Sequence, residues 1–157
     1  MSTLENRPYD TLKVGDQATY EKTLTERELV LFAAVSGDMN PLHLNDDFAK
    51  TTQFGGRIAH GMWSGSLISA ALAMTLPGPG TVYLGQEVKF SRPVRLNDTL
   101  TVTLTVKELR DDKKIVTLDT TVTNQEGKKV VTGTATVMAP TEKVTLEAPD
   151  LPDISIG

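Results

Sequence analysis

The segment Ser36-Gly37-Asp38-Met39-Asn40-Pro41-Leu42-His43 sets a carboxylate and an imidazole five residues apart. At that separation both groups can converge on one small molecule, such as water, and acid–base chemistry near neutral pH favours such a pair. Asn40-Pro41 keeps Asn40 out of the helical region and fixes the direction of the chain between them. The same residues also suit a plain turn, with Asp38 as its cap and His43 as a satisfied loop histidine, because Asp and Asn are common turn formers. A second cluster is Arg57-Ile58-Ala59-His60-Gly61. If a helix begins at Gly61, its first N–H groups are free and the positive end of its dipole lies behind them. Glycine there lets a ligand carbonyl come close, as stabilising an oxyanion requires. The alternative is that Gly61 only relieves crowding against a sheet. His60 reads as a packing and hydrogen-bonding residue, with a second acid or base as the other reading.

The elements that must hold these residues follow from local pattern. Thr25-Glu26-Arg27-Glu28 has capping-box spacing, with Leu24 and Leu29 placed to form a hydrophobic staple. Leu29, Phe32 and Ala33 then share one helical face, and Gly37 is a natural stop. A helix over 26–36 is predicted, followed by a loop over 38–44. Asn45 or Asp46 can cap a short helix over 47–50. Residues 61–76 carry no charge and are apolar or small almost all round, which predicts a buried helix, ended by Pro77-Gly78-Pro79-Gly80. Trp63 and the methionines read as core. Residues 17–24 suit a short strand and 83–90 a further one. Leu100, Val102, Leu104 and Val106 alternate with threonines; Val116, Leu118, Thr120 and Val122 repeat the pattern, as do Val131, Gly133, Ala135 and Val137. That periodicity predicts an antiparallel meander with one buried face. The first twelve residues read as an extended arm and those after Pro140 as an acidic, aperiodic tail. The fold class is α+β, a long antiparallel sheet wrapped around one buried helix, with a small open barrel plugged by a helix as the second choice.

Composition narrows the function. A chain of 157 residues makes one ordinary domain. It has no cysteine, which excludes a disulfide scaffold, a thiolate metal site and a cysteine nucleophile. With a net charge of −4 and no basic run, a nucleic-acid partner is not expected. The polar N-terminus and the absence of a long apolar stretch suggest no leader and no membrane span, hence a cytoplasmic protein. There is no phosphate-binding Gly-x-x-x-x-Gly-Lys loop, no dinucleotide fingerprint and no Gly-x-Ser-x-Gly elbow. With His43 and His60 the only histidines, no metal is expected.

Beyond the bare pair, Phe32 to His43, Phe48-Ala49, Arg57 to Gly61, Leu76-Pro77-Gly78-Pro79-Gly80-Thr81 and Phe90-x-x-Pro93-Val94 together closely resemble the MaoC-like (R)-specific enoyl-CoA hydratases. The resemblance runs from Tyr9 to Pro140. It implies one hot-dog domain over residues 1–140, with residues 141–157 as a tail outside it, and a homodimer whose acyl-CoA tunnel runs near the subunit interface. It implies reversible addition of water to a trans-2-enoyl-CoA to give the (R)-3-hydroxyacyl-CoA, serving polyhydroxyalkanoate synthesis or fatty-acid breakdown. Asp38 and His43 match the catalytic dyad, and Gly61 the glycine whose N–H binds the thioester oxygen. Ser69 matches a serine beside the pair. Ser69, Leu72 and Asn40 form the implied substrate-binding set, Asn40 by holding the loop. Arg57, Lys89 and Arg92 are candidate partners for the CoA phosphates. Coenzyme A arrives as part of the substrate, so no cofactor is expected. The competing readings are a hot-dog acyl-CoA thioesterase and a non-catalytic acyl-CoA-binding module. An acyl-carrier-protein dehydratase is disfavoured because the central helix carries no Asp or Glu.

Overall fold

The computed structural model describes residues 2–156. In chain order these form β1 (Thr3–Glu5), a 3-10 turn (Tyr9–Thr11), β2 (Gln17–Thr23), α1 (Glu26–Ser36), α2 (Pro41–Leu44), α3 (Asp46–Lys50), α4 (Gly61–Met74), β3 (Val82–Phe90), β4 (Thr99–Arg110), β5 (Ile115–Thr123), β6 (Lys129–Met138) and β7 (Thr145–Glu147). Five strands make one antiparallel sheet in the order β2-β4-β5-β6-β3. It stays open, with β2 and β3 as its edges, and α4 packs against β2, β3, β4 and β5. This is the α+β hot-dog arrangement, a sheet around one helix.

The register explains the core. Val102 lies opposite Val122, Leu104 opposite Thr120, and Val106 opposite Leu118. Leu118 lies opposite Ala135, Thr120 opposite Gly133, and Val122 opposite Val131. The alternating apolar residues therefore tile one face, where Leu100, Leu104 and Leu118 meet Leu67, Ile68 and Leu72 of α4 in a single cluster. Each such fully buried aliphatic side chain contributes about 1.5–3 kcal/mol. At Gly133 a Cβ would overlap the carbonyl oxygen of Glu87, so only glycine lets β3 lie against β6 here.

Several elements differ from expectation. The presumed loop over 38–44 contains α2, because Pro41 stands at its first position and Asn40 Oδ1 accepts the Leu42 N–H (3.0 Å). Helix α4 stops at Met74, two residues early. It is not buried all round within one chain: Met62, Ser69 and Ala73 form an open stripe without charge. The N-terminal arm is part of the core through Tyr9 and Leu12, each 5% exposed. The tail is not wholly irregular, since β7 pairs with β1. Asn6 is fully buried and clasps the tail: its Nδ2 donates to Glu142 O (2.8 Å) and its Oδ1 accepts Val144 N–H (2.9 Å). A three-residue strand pairing across the whole chain leaves no periodic trace in sequence.

Candidate active site

Helix α1 starts with the Thr25/Glu28 capping box, and Leu24 and Leu29 are fully buried beside it. It ends at Gly37, whose φ of 80° is the left-handed conformation that closes a helix. The chain then turns sharply, putting Asp38 directly after the helix. Asp38 Oδ1 accepts the Asn40 N–H (3.2 Å), and the Asp38 side chain is 52% exposed. One turn of α2 carries His43 inward until it is 7% exposed.

The two side chains meet. His43 Nε2 and Asp38 Oδ2 are 3.8 Å apart, too far for a direct hydrogen bond and close enough for one water to reach both. The other ring nitrogen, Nδ1, lies 2.7 Å from the carbonyl oxygen of Ile58. A carbonyl only accepts, so neutral His43 carries its proton on Nδ1 and turns the Nε2 lone pair toward Asp38. Sequence reasoning missed Ile58, whose contribution is a main-chain atom and leaves no side-chain signal.

The segment before α4 supports both groups. Ala59 N–H donates to Val94 O (2.7 Å), and Ile58 bridges to Arg95. That leaves Ile58 O for His43. His60 is 3% exposed; its Nε2 lies 2.8 Å from the main-chain oxygen of Asp38, and its ring stacks on His43 at 3.8 Å and 24°. Phe32 also packs against His60, with ring centroids 5.1 Å apart and the rings tilted by 56°. Gly61 is the first residue of α4, so its N–H has no acceptor within the helix. A Cβ at Gly61 would stand 3.3 Å from the Phe90 ring. Gly61, Ser64, Phe90 and Arg92 line a cavity of about 300 Å³.

Other expected residues lie elsewhere. Ser69 lines a separate, almost wholly apolar cavity of about 300 Å³ with Phe32, Met62, Tyr83 and Gln86. Leu72 is 2% exposed and packs in the core cluster. Asn40 caps α2 and so holds the loop. Arg57 is already committed: it binds Glu26 (2.6 Å) and Asp46 (2.8 Å) and clamps α1 and α3 onto the segment before α4. Hydrogen bonding to Glu26 pushes its pKa above the ordinary arginine value. It is therefore unsuited to a phosphate, whereas Arg92 faces the cavity and Lys89 is exposed on β3.

Asp38, His43 and His60 each offer a ligand atom within 4.8 Å of the others. One nitrogen of each ring already faces a main-chain carbonyl, His43 Nδ1 that of Ile58 and His60 Nε2 that of Asp38.

Residues 11–130, which include Asp38, His43 and Gly61, match the family model described as MaoC like domain. The chain belongs to the MaoC-like family. Among its MaoC-like relatives it is 50% identical over 132 residues to an (R)-specific enoyl-CoA hydratase of Rhodospirillum rubrum, covering 84% of this chain and 91% of that protein. It is 45% identical over 130 residues to the (R)-specific enoyl-CoA hydratase of Aeromonas caviae, covering 83% and 97%. Its fold matches the unliganded R-hydratase PhaJ1 from Pseudomonas aeruginosa with a TM-score of 0.96 and 56% identity over 99% of this chain and 100% of that one.

Proposed function

We propose that this chain is an (R)-specific enoyl-CoA hydratase, a hydro-lyase that reversibly adds water to trans-2-enoyl-CoA. The observation that carries the reading is the Asp38–His43 pair, 3.8 Å apart with the His43 proton held at Nδ1, in a chain half identical to an enzyme of that name. One water donates a hydrogen bond to Asp38 Oδ2 and another to His43 Nε2, leaving a lone pair for C3. Asp38 takes a proton as the oxygen bonds to C3. The electrons of the double bond move onto the thioester oxygen, where the Gly61 N–H and the α4 dipole receive them. The proton returns to C2 through the same pair, so no net proton is gained or lost. The thioester supplies the activation, and no metal, flavin or nicotinamide takes part.

The working unit is a homodimer. Two features support it. Edge strand β3 presents Val82, Tyr83, Leu84 and Phe90, all at least 39% exposed, and α4 leaves its uncharged stripe open beside the Ser69 cavity. An unpaired edge next to an apolar surface is a place where a second subunit docks. Among the described residues no helix is long and apolar enough to cross a membrane.

Turnover of a short trans-2-enoyl-CoA tests the reading. Loss of the conjugated enoyl absorbance without release of thiol supports hydration. Thiol release with the absorbance intact means a thioesterase, and binding without either signal means a binding module.

A further inference from the structure

Asp38 stands on a turn held mainly by bonds within itself. Its N–H donates to Ser36 Oγ (3.1 Å), its Oδ1 accepts from Asn40, and Gly37 closes back on Ala33. Among the described residues, the hydrogen bond from His60 to the Asp38 carbonyl is the one that ties this turn to a segment beyond the flanking helices α1 and α2. Asp38 is half exposed, so packing alone does not fix it. His43, by contrast, is buried and anchored by Ile58 O.

His60 is well placed for the task. Because the Asp38 carbonyl can only accept, Nε2 of His60 must carry the proton. Its Nδ1 is buried and has no hydrogen-bond partner, so the ring is not oriented by a bond on that side. What orients it is the stack on His43, the tilted contact with Phe32 and its place as the residue capping α4. A buried nitrogen without a partner carries a desolvation cost. A phenyl or aliphatic side chain would avoid that cost if packing were the whole role.

We propose that His60 is a positioning residue of the hydration site. Its Nε2–H holds the Asp38 main chain, and with Ile58 O two residues earlier it fixes the carboxylate and the imidazole to one short segment. That segment also supplies the Gly61 N–H, so base, imidazole and oxyanion donor share one frame. The inference rests on the dyad roles proposed above.

The test compares two substitutions that divide the histidine between them. His60→Phe keeps a ring in the stack and removes the donor. His60→Gln removes the ring and keeps an N–H near the position of Nε2. His60→Phe should lower kcat by roughly 10–100-fold, the scale of a misplacement near 1 Å, with KM changed little. His60→Gln should recover most of that loss. If His60→Phe does not fold, as judged by its thermal transition, His60→Asn replaces it, because its shorter amide cannot reach the Asp38 carbonyl. A donor-less variant with kcat within about twofold of the parent, or a Gln variant as poor as the donor-less one, overturns the proposal. Asp38→Asn runs beside them: should it remain active, the dyad reading itself fails, whatever His60 does.

Discussion

Replacing Asp38 by Asn removes one charge and one proton acceptor while leaving the turn intact. Asn retains the Oδ1 that accepts the Asn40 N–H, and the side chain is 52% exposed, so stability should move by no more than about 0.5 kcal/mol. The chemistry changes sharply. The atom 3.8 Å from His43 Nε2 becomes an amide nitrogen that donates, so a water between them can no longer donate to both, and no base remains to take its proton. Loss of a general base costs roughly 10²–10⁴ in rate; the lower figure corresponds to about 2.7 kcal/mol. The assay is loss of enoyl-CoA absorbance at saturating substrate, beside a melting curve. Asp38→Asn combined with His43→Ala should be little worse than either alone, because both groups act on one water. An Asp38→Asn protein that melts normally and turns over near the parent rate refutes the reasoning.

Gly61→Ala brings a Cβ to 3.3 Å from the Phe90 ring beside the proposed oxyanion donor; kcat should fall by about tenfold or more, read in the same assay. Arg57→Ala should leave KM for enoyl-CoA unchanged, because Arg57 holds Glu26 and Asp46. Both partners are over half exposed, so the loss of stability should be modest, about 1 kcal/mol, seen as a melting point lower by roughly 2–4 °C. Truncation after Pro140 should leave a dimer in light scattering at micromolar concentration. It should also lower the melting point, because Asn6 would lose its bonds to Glu142 and Val144 while buried.

The sheet and α1 were legible because their signals are local: alternation at period two from Thr99 to Met138, and a capping box at Thr25. That Asp38 and His43 meet was legible because both lie in one continuous segment. What supports them was not. Ile58 acts through its carbonyl, and any residue has one. His60 could be read as a hydrogen-bonding residue, but its acceptor is a main-chain atom 22 residues away. Arg57 looked like a phosphate ligand because sequence shows a charge and not the carboxylates already paired with it. Residues 141–156 read as a tail because β7 finds its partner at the opposite end of the chain. Leu72 and Ser69 share a helix, but its rotation sends one into the core and the other to the open stripe.

The hand of the product tests the central claim most directly. In the proposed mechanism Asp38, His43 and the Gly61 N–H act from one frame, so water should reach only one face of C3. The purified protein, without added metal or nucleotide, should convert a short trans-2-enoyl-CoA into the (R)-3-hydroxyacyl-CoA. An (S)-specific hydroxyacyl-CoA dehydrogenase should then yield no NADH, whereas an (R)-specific enzyme should oxidise the product. NADH from the (S)-specific enzyme, or no loss of enoyl absorbance at all, would contradict the account.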